Sequence, residues 1–187
     1  MDDIVKAALK KWPNVPACFG WLALDARGDW YMRDDRIQHA GPFPQVKGSR
    51  INHDKLKEFI ERNYEADASG GWFFQNGPQR VYVQLEAAPW VWRLQWLPPA
   101  LPGAAPTLQL RSHTGRDAGA VLGCWLDAEG RLYLATTLGF GIVHSQDMLD
   151  AAQAVEQGLW APEPLDAAAA PQRFGFVREP QPLPAAG

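Results

Sequence analysis

The run GWLALDARGDWYM, Gly20–Met32, and the run GCWLDAEGRLYLA, Gly123–Ala135, are nearly one phrase written twice. Asp25, Ala26, Gly28 and Tyr31 recur as Asp127, Ala128, Gly130 and Tyr133, at a constant offset of 102. In each, apolar strand-forming residues flank a four-residue turn whose glycine supplies a positive φ, the pattern of a β-hairpin. Two hairpins can share turn chemistry by chance, so the weight falls on the order of the later elements. RINHDKLKEFIERNY reads as a short extended piece and then a helix with Leu56, Phe59, Ile60 and Tyr64 on one face. GIVHSQDMLDAAQAV repeats that plan, with Met148, Ala152 and Val155 at helical spacing. Ile51 and His53 align with Ile142 and His144 at an offset of 91. Asp54 and Ser145 come next as candidate N-caps, their oxygens placed to accept unpaired backbone N–H groups. Beyond each helix lies a tryptophan, Trp72 and then Trp160, and PQRVYV from Pro78 is answered by PQRFGFV from Pro171, an offset of 93. The shortening from 102 to 91 fits the loop HAGPFPQVKG in the first copy, where extra residues leave the strand ladder undisturbed.

These correspondences predict a strand-dominated α+β fold of two tandem β-hairpin/strand/helix/hairpin repeats packed together, plus an N-terminal helix. A repeat of about 70 residues buries apolar surface poorly by itself, so the two are expected to share one compact domain. The expected segments are an N-terminal helix at 1–16, repeat one at 17–97, a proline-rich connector at 98–107, repeat two at 108–178 and a flexible tail at 179–187. In the first of these, Ile4, Val5, Ala8, Leu9 and Trp12 share a helical face, and Pro13 ends it.

Composition removes several classes of function. With 47% hydrophobic residues the chain of 187 can build a core, and a formal charge of −3 argues against a general polyanion binder. Cys18 and Cys124 lie in apolar runs and read as free thiols of a reduced, cytoplasmic protein, with no targeting segment and no membrane span. No metal or cofactor is expected, since His39, His53, His113 and His144 form no zinc pattern and no Cys-x-x-Cys occurs. Nucleophile elbows, phosphate loops and dinucleotide fingerprints are also missing, so no catalytic residue is assigned. RFGFV at Arg173–Val177 is similar to an RNA-contacting strand motif but lacks the glycine before its first aromatic. Edge-strand packing is its expected role, and no nucleic-acid partner is expected.

Seven of the nine tryptophans fall at or before Trp96, so the copies differ in what they present. Residues 71–97 read as three antiparallel strands, turned first at Asn76-Gly77. Trp90, Trp92, Leu94 and Trp96 share one face of the last strand. That face is either the floor of the core, which the alternation favours, or an open platform rimmed by hydrogen-bonding side chains. The candidate ligand-binding set is Trp72, Gln75, Asn76, Gln79, Arg80, Trp90 and Trp92.

The stretch FQNGPQRVYVQLEAAPWVWRL, with INHDKLKEFIERNY before it, resembles a family of bacterial conserved hypothetical proteins with a domain of unknown function and no assigned activity. The resemblance implies a bacterial protein, carries no catalytic residues over, and by analogy of fold implies signalling or ligand sensing. The expected function is a non-enzymatic module that binds a small ligand or a partner protein, in a regulatory or signalling role. The alternative is a hydrolase-like enzyme with a site between the repeats around His53 and His144, and a third reading is a subunit whose edge strands pair with another chain.

Overall fold

One turn, used three times, sets most of the strand register. The computed structural model describes residues 2–99 and 101–182. Within it Asp25-Ala26-Arg27-Gly28, Asp67-Ala68-Ser69-Gly70 and Asp127-Ala128-Glu129-Gly130 close their chains in the same way. The aspartate N–H donates to the carbonyl four residues on, at 3.1 Å for Asp25, 2.9 Å for Asp67 and 3.1 Å for Asp127. Its carboxylate accepts the N–H of that same residue, Asp29, Gly71 or Arg131, at 2.9–3.0 Å. The glycine before it takes a φ of +81°, +81° or +75°, which a residue with a Cβ adopts only under strain. A tyrosine then donates to the second carboxylate oxygen: Tyr31 to Asp25 at 3.2 Å, Tyr82 to Asp67 at 2.7 Å, and Tyr133 to Asp127 at 3.1 Å. Sequence comparison finds two of these turns. The third, DASG, carries its tyrosine on a different strand.

The described residues fall into two units. The first comprises residues 2–25, Asp29–Glu86 and 175–182. It holds α1 (Asp3–Lys11), β1 (Cys18–Leu24), β2 (Trp30–Met32), α2 (Asp35–Ala40), β3 (Ser49–Arg50), α3 (Asp54–Arg62), β4 (Tyr64–Ala66), β5 (Trp72–Asn76) and β6 (Gln79–Leu85). Their sheet runs β3-β2-β1-β6-β5-β4, parallel between β1 and β6 and antiparallel elsewhere. Ile60 of α3 is buried, and Phe59 meets Phe74 of β5 edge to face at 5.3 Å.

The second unit comprises Ala26–Gly28 and Ala87–Phe174. It holds β7 (Trp90–Leu97), β8 (Thr107–Ser112), β9 (Val121–Asp127), β10 (Leu132–Thr136), β11 (Gly139–Val143), α4 (Met148–Glu156), β12 (Glu163–Leu165) and α5 (Ala170–Phe174). The strand order is β12-β9-β10-β11-β7-β8. The run β11-β10-β9-β12 reproduces β3-β2-β1-β6 in order and in sense, with the same parallel return beside the first hairpin strand. The repeat expected from the sequence is therefore present, within a strand-dominated α+β fold that opens with a helix. Extra strands join at opposite ends, β5 and β4 beyond β6 but β7 and β8 beyond β11.

Four local expectations need correction. β7 is not a third strand of the first sheet; it pairs in parallel with β11 in the second. Glycines make room for it: a Cβ at Gly139 would lie 2.8 Å from Trp90 Nε1, and one at Gly141 2.5 Å from Trp92 Nε1. PQRFGFV is not a strand either. Pro171 sits in the first turn of α5, where its missing N–H costs nothing, and β12 takes the position equivalent to β6. The capping side chains are His53 for α3 and His144 for the 3₁₀ turn Ser145–Asp147 that leads into α4, each one residue earlier than expected, their Nδ1 atoms accepting from Leu56 N at 3.3 Å and Gln146 N at 3.1 Å. On α1 only Val5 is buried, while Ile4 and Trp12 stand in solvent; on α4 the inward pair is Ala151 and Ala154 rather than Ala152. Met1, Ala100 of the connector and residues 183–187 of the tail lie outside the described residues. In the tail's first residues, Arg178 O accepts from Leu85 N at 2.8 Å and Pro180 is buried.

Asp147 joins α4 to β7, accepting from Arg93 Nε at 2.6 Å, Arg93 Nη2 at 3.1 Å and Leu94 N at 3.0 Å. Burial would raise the pKa values of Asp67, Asp127 and Asp147, but their hydrogen-bond donors outweigh it and hold all three below the usual carboxylate value. Their stabilisation is complete above the unfolded value of about 4 and is lost as pH falls through the lower folded values. Urea denaturation is expected to show stability declining below about pH 4. At pH 7, Asp147→Ala should cost about 2–3 kcal/mol, less than a fully buried pair because Arg93 is half exposed. An unchanged urea midpoint would contradict this.

Candidate functional site

The candidate ligand-binding residues are distributed over both units. Trp72, Gln75, Asn76, Gln79 and Arg80 lie on the β5–β6 hairpin of the first. Trp90 and Trp92 lie inside the second sheet, both buried and stacked at 6.2 Å, with Trp92 Nε1 donating to Leu134 O at 3.1 Å. On the hairpin, Trp72 is half-buried against Tyr64 at 4.7 Å, and buried Gln75 donates to Gly77 O at 2.9 Å. Gln79 donates to Pro16 O at 3.1 Å, Arg80 lies over the Phe73 ring at 4.6 Å, and Asn76 is exposed at the turn. Gln75 and Arg80 thus brace their own hairpin, and Gln79 ties it to the chain before β1.

His53 is exposed in the first unit and His144 is buried in the second; His53 uses Nδ1 to cap α3 and His144 uses Nδ1 to cap the 3₁₀ turn before α4. Among the described residues no three histidine, cysteine or acidic side chains gather as a metal would need. Burial pushes the Cys124 thiol up to about 11 and raises Cys18, which the Asp35 charge raises further. Tyr31 and Tyr82 are raised by burial and by their aspartate partners. Lys47 loses solvation, yet its bonds to Asp25 and Glu86 win and keep it protonated. These groups are all held in the unreactive protonated form.

A hollow of about 470 Å³ in the first unit is lined by Arg33, Gln38, Gln84 and Glu179. It is built around a bulge in β1. Cys18 pairs with Val81 and Leu22 with Val83, so β1 uses two more residues than β6 between these pairs. Gly20, at φ +78°, makes that bulge, and a Cβ there would collide with Gln38 Oε1. Arg33 follows β2 directly and is only 2% exposed. Its guanidinium donates from Nε to Val46 O at 3.2 Å, from Nη1 to Gln84 Oε1 at 2.5 Å and from Nη2 to Gly41 O at 2.7 Å. All three acceptors are neutral, and among the described residues one N–H on each of Nη1 and Nη2 remains. Gln84, on β6 and 8% exposed, passes its Nε2 to Glu179 Oε1 at 3.1 Å. Gln38, on α2, donates Nε2 to Arg33 O at 2.9 Å. Burial lowers the Arg33 pKa, and the Glu179 charge opposes that shift from beyond contact range.

The larger cleft of the second unit, about 830 Å³, lies between the β9–β10 turn and residues 162–168. Its buried charge, Asp127, is saturated by the N–H groups of Glu129 and Arg131, by Arg131 Nε at 2.6 Å and by Tyr133. Sequence reasoning missed the Arg33 hollow. The available signal was Gly20, alone inside the apolar strand run CFGWLAL.

The family model DUF2944, described as a protein of unknown function (DUF2946), matches residues 1–181. The chain belongs to this family. The resemblance to a family without assigned activity is thereby borne out. No curated protein matches the sequence. Among solved structures the chain is similar to a DUF1285 family protein from Silicibacter pomeroyi DSS-3, with 14% identity and a TM-score of 0.50 over 82% of this chain and 84% of that one. It is also similar to a DUF1285 family protein from Shewanella baltica OS155, with 17% identity and a TM-score of 0.44 over 71% of this chain and 91% of that one. The first likeness shows a common fold. Among the described residues no helix is long and apolar enough to cross a membrane.

At pH 8 the folded chain should leave Cys124 unmodified by a disulfide-exchange reagent, because the thiolate is the reacting form. Adding 6 M guanidinium chloride should release it within the mixing time. Rapid modification of Cys124 in the native protein would contradict the burial described.

Proposed function

We propose that the protein is a non-enzymatic module that binds a small ligand carrying an anionic group, and that Arg33 receives that group. One observation carries the reading: a nearly fully buried guanidinium lining a hollow donates only to neutral oxygens among the described residues, lies over the Phe43 ring at 5.8 Å, and keeps two N–H groups unused. A buried charge without a partner of opposite sign is costly, and an entering anion lowers that cost. Arginine also presents its donors in a planar fork suited to a carboxylate or phosphate oxygen pair. The protonated state of the thiols, of Tyr31 and Tyr82 and of Lys47 supports binding over nucleophilic chemistry. A binding module of this kind acts by reporting occupancy, in line with the regulatory or signalling role expected from the sequence.

Thermal unfolding in the presence of small carboxylates and phosphate, at constant ionic strength, tests this. A ligand at ten times its Kd stabilises by about 1.4 kcal/mol. For a chain of this size that raises Tm by roughly 3–6 °C. Arg33→Met is expected to abolish the response and Arg33→Lys, which keeps the charge but not the fork, to weaken it. Circular dichroism checks that each variant is folded. Equal stabilisation of Arg33→Lys and wild type, or no response of wild type to any anion, would overturn the proposal.

A further inference from the structure

We infer that the ligand of the Arg33 hollow is a zwitterion of the α-amino-acid class, its carboxylate on Arg33 and its ammonium between Gln38 Oε1 and Glu179. This rests on the reading of Arg33 as the receiving group and goes further by identifying the second half of the ligand.

The hydrogen-bond inventory of the hollow is two-sided. On the donor side are the two remaining N–H groups of Arg33. On the acceptor side, Gln38 has its Nε2 on Arg33 O and keeps Oε1, which stands over Gly20 where any side chain would displace it. Glu179 has Oε1 on Gln84 and keeps Oε2. Gln84 accepts from Arg33 through Oε1 and donates one Nε2–H to Glu179, so it holds the two charged groups in fixed relation. A ligand that satisfies this set must bring acceptors at one end and donors at the other.

Charge points the same way. Arg33 and Glu179 are the ionisable residues among those lining the hollow, one of each sign. A phosphate or other dianion gains at Arg33 but is repelled by Glu179, and a simple amine meets the reverse. A zwitterion is attracted at both ends. Phe19 and Pro42 add apolar wall against which the carbon skeleton of an amino acid can lie, and the volume of about 470 Å³ falls within the range of small-molecule sites.

The experiment is isothermal titration of the full chain with the twenty L-amino acids, one at a time. The best binder is then compared with two analogues, one lacking its α-amino group and one lacking its α-carboxylate. The inference predicts that the amino acid binds at least tenfold tighter than either analogue. In Glu179→Gln, a change at an exposed side chain, affinity for the amino acid should fall about tenfold while the deaminated acid, no longer repelled by the Glu179 charge, binds as tightly as to wild type or tighter. If the deaminated acid binds wild type as tightly as the amino acid does, and Glu179→Gln changes neither, the zwitterion is wrong and anion binding at Arg33 stands. If neither the amino acids nor the deaminated acids bind, or they bind Arg33→Lys as tightly as wild type, both readings fall.

Discussion

A carboxylate withdrawn from solvent is tolerated only when its lone pairs are taken up, and in this chain that requirement, at the buried Asp25 and Asp127 and the half-buried Asp67, fixes where the strands turn. Asp25, Asp67 and Asp127 each draw the backbone N–H four residues ahead and a tyrosine hydroxyl onto one side chain. The glycine before the closing residue lets the chain come round, and the tyrosine ties the turn to a strand in defined register. A one-residue slip would turn every core side chain of the strand outward, so a turn that admits only one pairing decides which face is apolar. Leu24 opposite Trp30 and Cys124 opposite Leu134, all four buried, are the outcome, and the parallel returns β6 and β12 then lie against β1 and β9 in corresponding positions.

Arg33 follows the opposite rule. Where the turn aspartates are saturated, this guanidinium is buried and incompletely satisfied, with neutral acceptors on three N–H groups and none among the described residues on two. Such a group calls for a physical explanation, and a ligand that completes it is the one proposed. The bulge at Gly20 opens β1 just where Gln38 must approach, and the segment after Phe174 returns to the first unit to bring Glu179 onto Gln84. The hollow is thus drawn from four separate stretches of chain, each placed by the register that the turns impose.

That assembly explains what was legible in the sequence and what was not. Local, periodic features were readable: the doubled hairpin, the helix after each copy, and the matched histidines, whose capping role lay one residue from the expected one. Features that depend on which sheet a strand joins were not. Alternation in WVWRLQWL says that β7 is buried on one face but not that its neighbour is β11, and the hint lay in the glycines of GFGIV that accommodate its indoles. PQRVYV and PQRFGFV share three residues yet form a strand and a helix, because the polyalanine run before Pro171 favours helix and β12 already holds the equivalent place. The tryptophans stood out as the largest aromatic group, but Trp90 and Trp92 lie in the core. Arg33 stood in the unremarkable run MRDDRIQ, and only burial distinguishes it from an ordinary surface arginine.

The most direct measurement is a crystal structure of the full chain grown with the amino acid that binds best. A carboxylate within 2.7–3.2 Å of Arg33 Nη1 and Nη2, with an ammonium facing Glu179, is the predicted result. Arg33 closed by a protein carboxylate of its own, with the added ligand bound elsewhere, would contradict the account.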